Sequence, residues 1–401
     1  MGGAGNLLIA QSGGATAVIN GSLVGAVEAA ARSGRYDAVI GARNGIEGVL
    51  NQEFVDLGRQ SPSTLSLVKR TPSAALGTSR RKLNEADAEQ VLQVFRAHDV
   101  HAFAYIGGND SADTALRLSR MASDAGYDLQ VVSIPKTIDN DLPGTDHCPG
   151  YGSIARFLAL ATRDAGLDTE ATASLYPVKL IEVMGRNAGW VAAACALGQE
   201  RTSAAPQLIF FPERPPRDLE HFLEDVQHAW DRHRMVVAIV PETLRDTHGQ
   251  PIGGGDVHWV DAFGHAYVPG PGPALARAIE DKLGLKARFD KPGTISRMFI
   301  DSVAETDLEE AVLVGAEAVK ILLGGGSGVM VTLDRVRDQP YEVRAGSIPL
   351  EQVANRERLL PDEFIGPDGR SVTDAFRSYA LPLIDGPLPS IGRLANIAFP
   401  G

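Results

Sequence analysis

The sequence predicts an α/β fold, a parallel sheet with helices on both faces, and three observations carry that expectation. Short apolar runs recur along the chain, each closed by a Gly-rich or polar turn and followed by a segment of helical period. Glycine is in excess, at 43 residues against an aromatic share of 6%, which suits a fold rich in tight strand-to-helix turns. At 401 residues the chain also passes the ~250–300 at which a single core stops growing, leaving room for two domains or one large one.

The first unit is the strand LLIAQ (7–11), the turn SGGATAVIN and an Ala-rich helix to about Ser33. DAVIG (37–41) follows, then AFAYI (102–106) with the turn GGND and the helix SADTALRLSRMASDAG. LQVVSI (129–134) runs into the polar turn PKTIDNDLPG, after which YGSIARFLALATRDAG has apolar positions near i, i+3 and i+4. YPVKLIEVM (176–184) leads to GRNAG, QLIFF (207–211) to PERP and a helix, and MVVAIV (235–240) to PET. HGQPIGGGDVHW (248–259) breaks the rhythm and reads as an excursion or lid. ETDLEEAVLVGAEAVKILLGGG (305–326) predicts a helix opened by a Thr306/Glu309 capping box and closed by glycine, and SGVMVTLDR (327–335) is the last strand expected. There is no solenoid repeat and no low-complexity tract.

A formal net charge of −12 excludes a broad surface for nucleic acid or an anionic membrane, since both need clustered Lys and Arg. Cys148 and Cys195 form neither a disulfide framework nor a metal-ligand spacing, which points to a reducing compartment. No stretch approaches the ~18–20 apolar residues of a membrane span, and MGGAGNLLIAQSGG lacks a basic n-region and cleavage site, so a cytoplasmic protein is expected.

In a parallel sheet, ligands sit at the carboxyl ends of the strands, where these turns lie. Two of the turns, QSGGATAVIN and IGGNDSADT, place adjacent glycines (Gly13 and Gly14, then Gly107 and Gly108) before a helix, so backbone N–H groups and a helix N-terminus can meet an anion. Tight-turn geometry alone accounts for either turn taken singly. Asn109 and Asp110 follow the second pair, and a carboxylate there is either a helix cap or, beside a phosphate, the sign of an intervening Mg²⁺. In PKTIDNDLPG, Asp139 and Asp141 alternate with Asn140 while Lys136 stands just before them. A carboxylate facing a hydroxyl can take its proton as that oxygen attacks phosphorus, and a lysine can neutralise the transferred group, although turns also favour Asp and Asn for their own backbone bonds. Arg186, the trio Arg80, Arg81 and Lys82, and the pair Arg288 and Arg297 would supply forked donors if gathered at one cleft. Glu242, at a strand end, suits sugar hydroxyls or a turn cap. With no GxxxxGK[ST] P-loop, protein-kinase set, HExxH or N-terminal GxGxxG, these residues imply an α/β enzyme that handles phosphorylated ligands with Mg²⁺.

In order along the chain, SGG with Asn20 after it, LGTSR, GGND, PKTIDND, MGRNAGW, VPE and PGTISR resemble the phosphofructokinase family, and specifically its pyrophosphate-dependent branch. The resemblance runs from about residue 7 to 335, and the tail PLEQVANRERLLPDEFI is similar to that branch too. It implies two doubly wound, Rossmann-like lobes with the active site in the cleft between them. Residues 1–143 plus about 297–346 would form the phosphoryl-donor lobe, and 144–296 plus about 347–401 the sugar-phosphate lobe. It further implies transfer of a phosphoryl group from pyrophosphate to the 1-hydroxyl of fructose 6-phosphate, reversibly and with Mg²⁺, in a homodimer or homotetramer.

Residue by residue, the resemblance makes Asp139 the general base, with Thr137, Ile138 and Asp141 beside it in the substrate site. Gly13, Gly14 and Gly108 fall to the donor, and Arg80 to the transferring phosphoryl. Met184, Gly185, Arg186 and Glu242 fall to the sugar phosphate, with Thr294 at a sugar contact and Arg288 and Arg297 at the 6-phosphate, some of them serving a neighbouring subunit. Asp110 and Lys136 stand where ATP-using relatives carry glycine, and both point to pyrophosphate. The Asp fills and charges the space of a nucleotide α-phosphate, while the Lys stabilises the leaving phosphate. Asn109 sits at a position where many relatives have a metal-binding Asp, so Mg²⁺ is expected there with help from Asp110. Thr294 replaces a His or Tyr, and Pro177 replaces a subunit-bridging Arg, for which Lys179 is the candidate substitute. The alternatives are an ATP-dependent enzyme of the same fold and a non-catalytic sugar-phosphate sensor.

Overall fold

The computed structural model describes residues 5–253, 259–260, 266–267 and 270–395. Thirteen strands are described within this range: β1 (Asn6–Gln11), β2 (Val39–Ala42), β3 (Phe54–Asp56), β4 (Val100–Gly107), β5 (Gln130–Pro135), β6 (Val178–Val183), β7 (Leu208–Ile209), β8 (Val236–Pro241), β9 (Trp259–Val260), β10 (Ala266–Tyr267), β11 (Ala287–Asp290), β12 (Val329–Asp338) and β13 (Tyr341–Pro349). They form a seven-stranded sheet of order β13-β12-β5-β4-β1-β2-β3 and a four-stranded sheet of order β11-β6-β8-β7, with β9 and β10 paired apart. Every pair in the smaller sheet is parallel, and in the larger one only β13 on β12 and β3 on β2 are antiparallel. This is the α/β architecture that the strand–turn–helix rhythm implies.

The strands read as unbroken apolar runs because both sheet faces are covered. Leu7 and Ile9 pack on one side with the helices Ile19–Ser33 and Glu305–Leu323, while Leu8 and Ala10 pack on the other with Glu85–Ala97 and Asn109–Asp124. Where Ile19–Ser33 meets Glu305–Leu323, glycine is required by distance. A Cβ on Gly25 would stand 2.2 Å from the Val312 carbonyl oxygen, and one on Gly315 would stand 2.0 Å from that of Ser22.

Three expectations are corrected by the structure. The helix at 305 has no capping box: it opens at Glu305 after Ala304, and the carboxylate of Asp385 accepts from the N–H groups of both Glu305 and Thr306 at 3.0 Å. A distant carboxylate reaches those donors first, so Thr306 is not needed as a cap. Val329–Asp338 is not the last strand, since the amphipathic segment Tyr341–Pro349 folds back on it as an edge hairpin. Lys179 does not reach outward from its chain. Its ammonium lies 3.1 Å from the carboxylates of both Asp168 and Asp290, which tie β6 to its neighbours. Of the excursion expected at 248–259, residues 254–258 lie outside the described residues.

The order β4-β1-β2 reverses chain direction of travel at β1, so the carboxyl ends of β1 and β4 open a crevice at a topological switch point. The turn after β5 lies beside it, and its far end is fastened by a buried ionic cluster. His147, with its side chain 1% exposed, lies 2.7 Å from Asp146 Oδ2 through Nδ1 and 2.6 Å from Glu310 Oε2 through Nε2. Arg335 donates to Asp146 and the Tyr341 hydroxyl donates to Glu310. Burial alone would depress the imidazole, but Glu310 and Asp146 outweigh it and raise its pKa to about 9. Because the folded value lies above the unfolded one, this stabilisation is full below about pH 6.5 and lost as pH rises through about 9, by up to about 3 kcal/mol. Thermal melts from pH 6 to 9.5 should therefore show a decline in wild type that is much smaller in His147→Gln.

Candidate active site

One pocket is lined by Gly13, Gly14, Arg80, Gly108, Asn109, Asp110, Ser111, Lys136, Thr137, Ile138, Asp139, Asp141, Met184, Arg186, Glu242 and Arg297. Its walls are the carboxyl ends of β1, β4 and β5 from the larger sheet and of β6 and β8 from the smaller. Parallel strands deliver their following turns to one edge, so residues more than 200 positions apart share a space about the size of a small ligand. Of the eighteen residues that the family resemblance assigns to substrate, donor, metal or catalysis, fifteen line it, with Gly185 immediately beside it in the chain.

On the β1 side, Gly13 takes φ +74°, a conformation that L side chains rarely adopt, and its N–H donates to Ser79 O at 3.1 Å. Thr78 donates to Gly13 O at 2.6 Å, which brings the segment 77–82 over the turn. Arg80 thereby reaches the pocket, while Arg81 turns back to a two-point pair with Asp87 at 2.7 and 3.2 Å. On the β4 side, Gly108 is itself the helix cap and the helix Asn109–Asp124 begins at once, so Asp110 is not the cap residue. Its carboxylate lines the pocket at a positive helix end, beside Asn109.

Lys136 leaves β5 almost fully buried, and its ammonium donates to Gly14 O at 2.8 Å. Burial, helped by the nearby Arg297, pulls its pKa down to about 7. The chain then folds the carboxylates inward. Thr137 Oγ1 accepts from the Asp139 N–H at 3.0 Å, and Asn140 takes φ 54° so that Asp139 and Asp141 can sit together. Burial and repulsion from Asp141 push Asp139 up to about 7, and burial raises Asp141 as well. Arg186 also takes a left-handed conformation, φ 50°, with its carbonyl accepting from the Thr243 hydroxyl. Two non-glycine residues of positive φ at one pocket are the kind of local strain that functional sites hold. Arg297 comes from the turn Gly293–Arg297, is depressed by burial first, and has its Nε buried without a hydrogen-bond partner among the described residues. A partly buried guanidinium that lines the pocket is suited to an anion there.

Arg288 and Thr294 are not brought to the pocket. Arg288 lies on edge strand β11 with its guanidinium 3.8 Å from the Tyr176 ring centroid, and Thr294 is exposed. Ser111, which was not among the residues expected at the site, lines the pocket and donates to Ser12 at 3.0 Å, joining the two glycine turns. Among the described residues no group of three or more His, Cys, Asp or Glu forms a preset metal cage. Oxygen donors at Asn109 and Asp110 suit Mg²⁺ all the same, because that ion keeps waters and binds through one or two carboxylates plus substrate phosphates.

The phosphofructokinase family profile matches residues 6–322. The chain belongs to the phosphofructokinase family. Pyrophosphate–fructose 6-phosphate 1-phosphotransferase of Xanthomonas campestris is 41% identical over 96% of this chain and 93% of its own length. The enzyme of the same name from Methylococcus capsulatus is 39% identical over 98% and 97%. The crystal structure of a pyrophosphate-dependent phosphofructokinase from Nitrosospira multiformis superposes with a TM-score of 0.87 at 37% identity, covering 99% of this chain and 98% of the other.

The two perturbed groups fix a pH signature for any phosphofructokinase chemistry in this pocket. A reaction that uses Asp139 as a carboxylate would lose activity as pH drops through about 7, and one that uses Lys136 as an ammonium would lose it as pH rises through about 7. A narrow bell in kcat/KM is expected. Lys136→Arg, which keeps its charge, should remove the alkaline limb and leave the acid limb in place.

Proposed function

We propose that the chain transfers a phosphoryl group from pyrophosphate to the 1-hydroxyl of fructose 6-phosphate, giving fructose 1,6-bisphosphate and phosphate. The observation that carries this reading is the gathering of Asp110 and Lys136 with both glycine turns and Asp139 in one pocket. The relatives of 39% and 41% identity bear the name of that reaction.

Asp139 takes the proton of the sugar 1-hydroxyl as that oxygen bonds to the nearer phosphorus, and the P–O–P bond breaks with its electron pair going to the departing phosphate. Lys136, Arg80 and Arg297 offset the charge that gathers on the transferring and leaving oxygens, inside a space where those charges interact more strongly than in water. Met184, Arg186 and Glu242 hold the sugar phosphate from the smaller sheet. Asn109 and Asp110 would hold Mg²⁺ together with pyrophosphate oxygens, and the ion would supply further neutralisation of the diphosphate. We assign the donor to the lobe of 1–143 plus about 297–346, and the sugar to 144–296 plus about 347–401. The enzyme works in the cytoplasm as a homodimer or homotetramer, in which Arg288, turned from its own pocket, serves a neighbour's site. No described helix is long and apolar enough to cross a membrane.

Purified protein with fructose 6-phosphate and Mg²⁺ should turn over with pyrophosphate and not with ATP, and inactivity with both donors would sink the reading. Asp139→Asn should lower kcat by about 10²–10⁴-fold with folding intact, as expected for loss of a general base. The double change Asp110→Gly, Lys136→Gly should shift donor preference toward ATP. An unchanged ratio would favour the ATP-dependent alternative.

A further inference from the structure

The loop that carries Asp139 and Asp141 poses a problem that its own residues do not solve. Asn140, Asp141, Leu142 and Thr145 are buried, the loop belongs to no sheet, and the carbonyls of Asn140, Thr145 and Asp146 have no backbone hydrogen-bond partner. Left unmet, those of Asn140 and Thr145 would be costly orphans. The two carboxylates also repel each other, which drives the loop to swing them apart.

All three carbonyls are met by one side chain. The guanidinium of Arg358 donates to Asn140 O at 3.0 and 3.3 Å, to Thr145 O at 2.7 Å and to Asp146 O at 2.6 Å. The Arg358 backbone N–H donates to Asp141 O at 2.7 Å. The guanidinium is held in turn, 4.4 Å from the ring centroid of Trp190, whose indole N–H donates to Arg358 O at 3.1 Å. Tyr379 completes the seat, accepting from the Asn140 side-chain amide at 3.0 Å and donating to Asp146 O at 2.8 Å. Arg358 and Tyr379 both lie beyond residue 322, where the family match ends.

We propose that Arg358 is a positioning residue for phosphoryl transfer, clamping the 139–146 loop from behind so that Asp139 and Asp141 face the sugar hydroxyl. Arg358 touches no lining residue's reactive atoms. Its bonds to the carbonyls of Asn140 and Asp141 fix the peptide planes on both sides of Asp141, one residue beyond Asp139, and with them the backbone from which the two carboxylates project. A planar fork serves three carbonyls at set angles, whereas an ammonium on a flexible stem does not. The inference rests on the pyrophosphate-dependent reading of the pocket and adds to it a residue outside the pocket.

The test compares wild type, Arg358→Lys, Arg358→Met and, as a control, Arg377→Met. Arg377 is a second arginine of the C-terminal segment, bonded to Ala196 O and Gln199 away from the loop. In Arg358→Lys, kcat per folded protein should fall roughly 10- to 100-fold while KM for fructose 6-phosphate and pyrophosphate stays within about threefold. Arg358→Met should fall further, and Arg377→Met should lose thermal stability without losing kcat. Hydrogen exchange across 137–148 should be faster in both Arg358 variants and unchanged in Arg377→Met, a readout that needs no turnover. An unchanged kcat and unchanged exchange in Arg358→Lys would overturn the clamp, as would an equal kcat loss in Arg377→Met or failure of Arg358→Lys to fold. Inactive wild type with faster exchange in Arg358→Lys would instead overturn the functional reading and uphold the clamp on the loop.

Discussion

The constraint on which the structure depends is the removal from water of Lys136, Asp139 and Asp141 within one short turn. Burying ionisable groups is unfavourable unless partners are supplied, and here the partners come from every quarter of the fold. Gly14 offers its carbonyl to Lys136, Thr137 its hydroxyl to the Asp139 N–H, and Arg186 and Arg297 their charge to Asp139. The residual strain appears as shifted ionisation, with Lys136 pulled down and Asp139 pushed up until both lie near neutrality.

The framework around that turn is built to resist relaxation. Behind it stand Arg358, Trp190 and Tyr379; at its far end Asp146 and His147 join Glu310, Tyr341 and Arg335. Asp307, from the same helix as Glu310, accepts from the Gly150 and Ser153 N–H groups and so caps the helix Tyr151–Thr172 that follows the turn. The long C-terminal segment is therefore part of the support for the site, though it lines none of it. Asp385 serves the same end by capping the helix at Glu305.

Much of the site was legible because its residues sit in turns, where local rules speak loudly. A Gly pair before a helix, or Lys and two Asp between an apolar strand and a proline, departs from what a bare turn needs, and ordered motifs raise that departure to a family resemblance. What was illegible lay in elements with no chemical accent of their own. Arg358 reads as one charge among RER, and Ser111 as an ordinary capping serine. Arg80 and Arg81 are adjacent and alike, and only the hydrogen bond from Thr78 to Gly13 and the pull of Asp87 decide which one faces the pocket. Thr306 and Glu309 satisfy the capping-box spacing, yet a carboxylate about 80 residues away takes the place.

Periodicity and turn chemistry by themselves determined the α/β class, most strand positions and the turns that hold the pocket, and the ordered motifs added, through the family resemblance, the residues proposed to favour a pyrophosphate donor. These are properties of contiguous stretches, where a side chain's neighbours are its sequence neighbours. Tertiary structure alone decided the strand order that places β1 and β4 at a switch point, the turning of Arg288 onto Tyr176, the engagement of Lys179 with Asp168 and Asp290, and the bonds of Arg358 to the carbonyls of Asn140, Thr145 and Asp146. Each depends on which distant groups reach a buried donor or acceptor first, and burial makes that contest decisive because an unmet polar group in the interior costs far more than one in water.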